Sequence, residues 1–214
     1  MNRLVEKFLS LLYPKGVVCH ACGMEAIVNE AGLCAACAAA LCPCEKPHPL
    51  LHADGFTAGL EYTDVIAGAV HRFKYNDARY LAPFLASFIT IPADWELDAI
   101  VPVPLHKRRL RRRGYNQSAL LAQALSEHVQ APVREDLLMR IRNTGTQTAL
   151  GAKERRRNLR GAFVAKDEAK GMRLLLIDDV RTTGATLDAC AQALRQAGAA
   201  TVYACAVCER ERDA

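Results

Sequence analysis

Two adjacent carboxylates followed by a threonine- and glycine-rich run are the residues best suited to chemistry here: Asp178-Asp179, then Thr182, Thr183, Gly184, Ala185 and Thr186. Ionised carboxylates only accept hydrogen bonds, so a pair of them suits sugar hydroxyls or a metal-bound water. Backbone N–H groups at a helix start suit a phosphate, and a glycine there lets the chain come close to it. The hydroxyls of Thr182, Thr183 and Thr186 add donors. The chain must present these groups together. The apolar run Leu174–Ile177 reads as a strand buried on both faces, with the acids where it ends, and a helical pattern opens at Ala185 and reaches Leu194. Strand, acids, turn and helix make a ligand site at the carboxyl edge of an α/β sheet. Neither G-x-x-x-x-G-K-[ST] nor G-x-G-x-x-G occurs, which excludes a P-loop and a dinucleotide turn. The plainer alternative is a strand-to-helix turn capped by Asp and Thr.

A second strand, Ala99–Pro104, runs into His106–Gln117, where six of the eight residues from His106 to Arg113 are Lys or Arg. This reads as a basic loop, followed by a helix that Ser118 caps and that carries Leu120, Leu121, Ala124 and Leu125 on one face. Arginine donates in a fixed fork that matches phosphate oxygens, so this is a second anion site at a sheet edge; a solvated basic loop is the plainer reading. A further basic cluster spans Leu137–Phe163: Arg140, Arg142, Lys153, Arg155, Arg156, Arg157 and Arg160, interleaved with Thr144, Gln147 and Asn158. With Gly145 and Gly151 in it, the segment reads as a hairpin that closes over the site and excludes water. From Ile100 to Phe163 there are 14 basic and 4 acidic residues; the remainder has 14 and 19. All the excess positive charge thus lies in one segment, whose partner should be polyanionic.

The nine cysteines point to metal before disulfides. Cys19-x-x-Cys22 and Cys34-x-x-Cys37 can each wrap a knuckle around one face of a metal, together supplying four thiolates to Zn²⁺, and in so small a unit the metal provides much of the folding energy. Cys42 and Cys44, with His48 and His52, read as a loop with spare ligands rather than a second site, and Cys205 and Cys208 as buried packing in a last strand, Thr201–Val207, that closes the sheet. Between these, Gly55–Tyr62 reads as a strand. Val65, Ile66, Ala69, Val70 and Phe73 form a helix ending at Lys74–Asp77, with His71 on its surface or packed, and Tyr80–Ile89 forms another. The opening segment, with Leu4, Val5, Phe8, Leu9, Leu11 and Leu12, is too short to span a bilayer and has no small-residue cleavage site; it reads as an amphipathic helix packed on the body, so a cytoplasmic protein without a membrane span is expected. At 214 residues the chain holds one α/β domain and something small.

The run Leu174–Gly184 resembles the binding signature for phosphoribosyl pyrophosphate (PRPP) of the type I phosphoribosyltransferases. With the paired knuckles, Val101–Gln117, Arg140–Gln147 and Arg155–Phe163, it is similar, nearly end to end, to the ComF family. That resemblance implies a type I phosphoribosyltransferase fold, a parallel sheet flanked by helices, behind a small zinc-binding module. It implies residues 1–49 as the N-terminal helix and zinc-ribbon-like module, 50–98 as a hood or connecting region that selects the acceptor, and 99–214 as the transferase core. Asp178 and Asp179 would hold the ribose, Thr182–Thr186 the 5′-phosphate, and Arg109, Arg113 and Gly114 the pyrophosphate with Mg²⁺. Arg140, Arg142, Gln147, Arg155, Arg156 and Asn158 would contact substrate or nucleic acid from a flexible loop. The function implied is phosphoribosyl transfer from PRPP to an unidentified acceptor, linked to competence and DNA uptake. The alternative is a non-catalytic module that handles single-stranded DNA or docks competence proteins, with Tyr115 and Phe163 as stacking surfaces. Many relatives carry a third C-x-x-C-G where this chain has Cys42-Pro43-Cys44.

Overall fold

Residues 17–144 and 157–210 are described by a computed structural model. The expected N-terminal helix and the candidates Gln147, Arg155 and Arg156 lie outside the described residues. In chain order the elements are α1 (Ala35–Ala40), β1 (Gly55–Glu61), α2 (Asp64–Tyr75), α3 (Ala82–Ala86), β2 (Ala99–Pro102), α4 (Lys107–Arg113), α5 (Gln117–Val129), β3 (Leu138–Arg140), β4 (Phe163–Ala165), β5 (Arg173–Arg181), α6 (Ala185–Gln196) and β6 (Thr201–Glu209).

Strands β1, β6, β5 and β2 lie in that spatial order and are parallel throughout. A parallel sheet is covered on both faces, which is why its strands are continuously apolar. In β5 the alternation is explicit. Leu175 and Ile177 pack toward α2, α3 and α5, and Leu174 and Leu176 toward α6 and the β3–β4 hairpin. All four are fully buried. Burying them removes about 2 kcal/mol of apolar exposure per side chain from water. Cys19 and Cys37 join the first of these two cores, so the cysteine module sits on the α2 face.

Several elements depart from the sequence expectation. The acids do not follow the strand: β5 continues to Arg181 and carries them within it. It continues because β6 goes on pairing with it as far as Arg181↔Glu209, whereas β2 pairs with it only as far as Ile177. Asp178 and Asp179 are therefore on a strand that has lost one neighbour. Strand β6 does not close the sheet but lies inside it, between β1 and β5. The expected helix over Tyr80–Ile89 is a 3₁₀ turn at Arg79–Leu81 followed by the short α3, with Pro83 in its first turn. The expected basic loop is a helix, α4. His106 caps it by accepting from Arg108 N–H, and Gly114, at φ 82°, ends it with its N–H on Leu110 O at 2.7 Å. Helix α5 is capped not by Ser118 but by Asn116, whose side chain accepts from Ser118 N–H at 3.2 Å.

The hairpin expected over Leu137–Phe163 has its stem in the antiparallel pair β3–β4, with Arg140 opposite Phe163. The far end of the sheet is locked by charge. Arg181 is fully buried in an ion pair with Glu209, its guanidinium 5.1 Å over the Phe56 ring. Glu209 also accepts from His48 N–H at 3.1 Å and lies 2.9 Å from His48 Nδ1, with Cys44 Sγ at 3.8 Å. His52 instead stands beside Asp188, so the two histidines serve different partners. Cys205 and Cys208 are buried in the core, as expected. His71 is exposed and tilted against Tyr75.

Candidate functional site

The carboxyl ends of β2 and β5, with helices α2, α4 and α5, enclose a cavity of about 340 Å³. Its walls bring together seven of the residues that the sequence nominated: Asp178, Asp179, Thr182, Thr186, Arg109, Arg113 and Arg140. Thr183, Gly184 and Ala185 form the turn between the lining threonines, and Ala185 N–H donates to Thr183 Oγ1 at 3.4 Å. Gly184 holds φ 75°, and a Cβ there would meet Leu50 Cδ2 at 2.8 Å, so only glycine fits without a shift. Gly114 closes α4 and does not line the cavity; its role is to stop the helix so that the chain can turn into α5.

The acids are held by contacts from two directions. Ser118 Oγ donates to Asp178 Oδ1 at 3.0 Å, and Asp179 N–H donates to the same oxygen at 3.0 Å. Lys74, at the end of α2, reaches Asp179 Oδ1 at 2.9 Å. Burial, and then the charge of Asp179, push the Asp178 carboxyl up to about 7, against the opposing pull of Lys74 and the two hydrogen bonds. Burial disfavours the Lys74 ammonium, yet attraction to Asp179 and Asp178 outweighs it and raises that group above its ordinary value.

The same cavity is also lined by cations, Arg109, Arg112, Arg113 and Arg140. Arg113 hydrogen-bonds Gln117, and Arg109 and Arg140 converge on Thr144, each with an N–H 3.4 Å from its carbonyl oxygen. Burial lowers the Arg109 guanidinium, and Arg113 and Arg112 add to this; burial also lowers Arg140, with Arg109 adding. Among the described residues, no carboxylate pairs with Arg109, Arg112, Arg113 or Arg140. Several guanidiniums and an acidic pair lining one cavity suit a ligand that carries both anionic groups and hydroxyls.

Other nominated residues lie elsewhere. Arg142 is exposed and donates to Arg160 O at 2.8 Å, bracing the hairpin, and Asn158 is exposed. The two expected stacking surfaces are not available. Tyr115 and Phe163 are 8% and 6% exposed, because Tyr115 hydrogen-bonds Phe73 O in the core and Phe163 packs under Arg140. Lys74, Tyr75, Tyr62, Arg112 and Arg210 line the cavity without having been singled out for it. The helical period of α2 marks its C-terminal end, but only the sheet order shows that this end faces the acids. Arg210 and Tyr62 follow strands β6 and β1 directly, and residues just past strand ends are the signal that could have found them.

Away from the cavity, the sulfur atoms of Cys19, Cys22, Cys34 and Cys37 lie within 4.8 Å of one another, a spacing that could hold one metal ion. Cys34 N–H points at Cys19 Sγ, 3.4 Å away. Burial raises the Cys19 thiol, but hydrogen bonds from the backbone of Cys22, Cys34 and Ala21 outweigh it and bring the thiol down to about 6, as suits a thiolate ligand. The module is tied to the core by Arg72 of α2, which donates to His20 O at 2.6 Å and Ala21 O at 3.0 Å.

Known proteins fit this description. The phosphoribosyl transferase domain family matches residues 115–214. "DNA utilization protein YhgH" of Salmonella typhi is 33% identical over 221 residues, covering 89% of this chain and 96% of that protein. "Competence protein F" of Haemophilus influenzae is 37% identical over 148 residues, 64% of this chain and 65% of that one. Among solved structures, the glutamine PRPP amidotransferase from B. subtilis complexed with ADP and GMP is 23% identical at a TM-score of 0.41 over 66% of this chain, which spans only 28% of that longer one. With the Salmonella typhi relative 33% identical and matched over 89% of this chain and 96% of its own length, the chain belongs to the ComF family and carries its type I phosphoribosyltransferase fold behind a four-cysteine module.

Proposed function

We propose that this chain binds PRPP with Mg²⁺ and transfers its phosphoribosyl group to a nitrogen nucleophile. The observation that supports it is the convergence of Asp178, Asp179, Thr182, Thr186, Arg109 and Arg113 on one cavity. In this reading the carboxylates accept from the ribose hydroxyls, and Ser118 and Lys74 fix their orientation. The Thr182–Thr186 turn holds the 5′-phosphate at the start of α6, and Arg109 and Arg113, with Gly114 setting where α4 ends, draw the pyrophosphate. Orientation and charge stabilisation of the leaving group then carry the catalysis. Bound Mg²⁺ would neutralise charge on the pyrophosphate, and Asp178 and Asp179 are the carboxyl groups of the cavity that could hold its water. Arg140 reaches the cavity from the β3–β4 stem, and Arg142, Gln147, Arg155, Arg156 and Asn158 are further candidates for substrate or nucleic-acid contact, of which Gln147, Arg155 and Arg156 lie outside the described residues. Zn²⁺ at the four thiolates is structural, and the setting is cytoplasmic.

Calorimetric titration with PRPP and Mg²⁺ tests this. The protein should bind with a Kd of order micromolar, about −8 kcal/mol. The Asp178→Asn/Asp179→Asn variant should lose binding and any turnover while staying folded. Binding or turnover retained by that variant would overturn the assignment.

A second reading is carried by the outward side of α4. Lys107, Arg108, Arg111 and Arg112 are exposed, and all but Arg112 stand outside the cavity. Together with relatives named for DNA utilization and competence, this supports contact with single-stranded DNA and a place in DNA uptake. Binding should fall steeply with salt and survive loss of Asp178 and Asp179. Without Tyr115 and Phe163 as platforms, it would be mainly electrostatic.

A further inference from the structure

One part of the cavity lining holds residues not used when PRPP is assigned as above, Tyr62, Tyr75 and Arg210, and shares Arg113 with the pyrophosphate site. It is built from two tyrosine–arginine stacks contributed by four elements. Tyr62 follows β1 and Arg210 follows β6, with the Arg210 guanidinium 4.9 Å from the Tyr62 ring centre. Tyr75 ends α2 and Arg113 ends α4, with the Arg113 guanidinium 5.0 Å from the Tyr75 ring centre. All four side chains line the same cavity. Tyr62 and Arg210 stand on ordered backbone: Tyr62 N–H donates to Glu209 O at 2.7 Å, and Arg210 N–H donates to Arg181 O at 2.8 Å, each extending the strand ladder past its last residue.

The charges here are unevenly matched. Lys74 is committed to Asp179, whereas no carboxylate pairs with Arg210 among the described residues. An arginine held over a ring face by its guanidinium carbon still has N–H donors to offer a ligand, and a guanidinium edge presents two of them in parallel. Such a fork matches two oxygens in one plane. Arg113 links this corner to the pyrophosphate site.

We propose that this corner is the acceptor subsite and takes a small planar nitrogen heterocycle bearing a carboxylate or an equivalent pair of acidic oxygens. Arg210 reads the oxygens, and Tyr62 sets the plane of the ring. The inference rests on the PRPP reading given above. In the transfer, the lone pair of the acceptor's ring nitrogen forms the new bond to the anomeric carbon. The bond from that carbon to the pyrophosphate oxygen breaks, its electron pair leaves with pyrophosphate, and a proton on the attacking nitrogen goes to solvent. An aliphatic amide donor would leave the Arg210 fork unused.

The test begins with PRPP and Mg²⁺ alone; no binding at that step sinks the reading on which this one rests. Protein saturated with PRPP is then titrated calorimetrically with orotate, nicotinate and quinolinate, beside uncharged uracil and nicotinamide. At least one acid should give a saturable signal about tenfold tighter than either neutral ring. Arg210→Ala should weaken that signal about tenfold while PRPP affinity stays within about twofold, and Arg210→Lys, which keeps charge but loses the fork, should restore it only in part. The inference is overturned if no acid gives a signal, if the neutral rings bind as tightly, if Arg210→Ala leaves the acid's signal unchanged, or if that variant loses PRPP as well.

Discussion

The cysteine module and the sheet edge solve the same problem, fixing charged groups in space, by opposite means. At the sheet edge, Asp178 and Asp179 extend from a strand whose preceding residues, Leu174–Ile177, are fully buried, so the backbone is rigid before any ligand arrives. In the module the buried apolar set is small, chiefly Ala21 and Leu33 beside Cys19 and Cys37. Four thiols held within 4.8 Å of one another repel as thiolates unless a cation sits among them. The sheet edge is ordered by apolar packing; the module offers four sulfurs that a single metal ion could order. Helix α2 touches both, with Arg72 on the knuckle carbonyls and Lys74 on Asp179.

The strongest way to break the contrast is to remove a thiolate. Cys37→Ser should abolish bound zinc and lower the thermal midpoint by about 10 °C or more, since structural zinc contributes several kcal/mol of net stability. The far-ultraviolet circular dichroism of the sheet should survive. Concerted loss of the whole fold at the wild-type midpoint, with zinc retained, would contradict the division. Next comes the buried pair behind the site. Glu209→Ala leaves Arg181, 0% exposed, without its carboxylate, and should cost about 3–5 kcal/mol in denaturant unfolding, with no change in zinc content.

Two milder changes probe the bridge between the regions. Arg72→Ala removes two charge-assisted hydrogen bonds, about 2–3 kcal/mol, and should loosen the module while lowering PRPP affinity several-fold through α2; unchanged PRPP affinity would show that α2 does not couple them. Lys74→Met acts on titration. Asp178, at about 7, is protonated in the folded protein between roughly pH 4 and 7 and ionised in the unfolded chain, so its contribution to stability is complete at low pH and is lost as pH rises through 7. Removing the Lys74 charge removes a downward pull on Asp178, so that loss, and any accompanying step in PRPP binding, should move to higher pH. A step that stays put would remove Lys74 from the account.

How much of this was legible in the sequence depends on how far apart the cooperating residues lie along the chain. The strand, acids, turn and helix of residues 173–196 are contiguous, and their local pattern places them correctly except at the end of β5, where the partner strand decides. The knuckles are legible for the same reason. Helix α4 was misread because its Lys and Arg residues look like a solvated charge run. Yet Lys, Arg and Leu are good helix formers, and His106 and Gly114 bracket them as cap and stop. Lys74, Tyr62 and Arg210 escaped notice because the one local mark they carry, a place at the end of a helix or just past a strand, does not say which ends meet. They meet only because the strand order β1–β6–β5–β2 sets the ends of β1 and β6 beside the acids. Tyr115 and Phe163 misled because an aromatic next to basic residues looks the same in sequence whether it is exposed or buried.

The short Cys42-Pro43-Cys44 segment lies along β1. Pro43 bridges Leu60, Cys44 N–H donates to Gly59 O at 3.1 Å, and Glu61 N–H donates to Cys42 O at 2.8 Å. These contacts cover the flank of β1 that faces away from β6. Unpaired strand flanks recruit other strands, and a proline has no N–H with which to extend the ladder outward. The N-terminal region therefore also keeps the sheet from growing: it is the molecule's guard against aggregation, and a core stripped of it would expose an adhesive margin where the intact chain presents a proline.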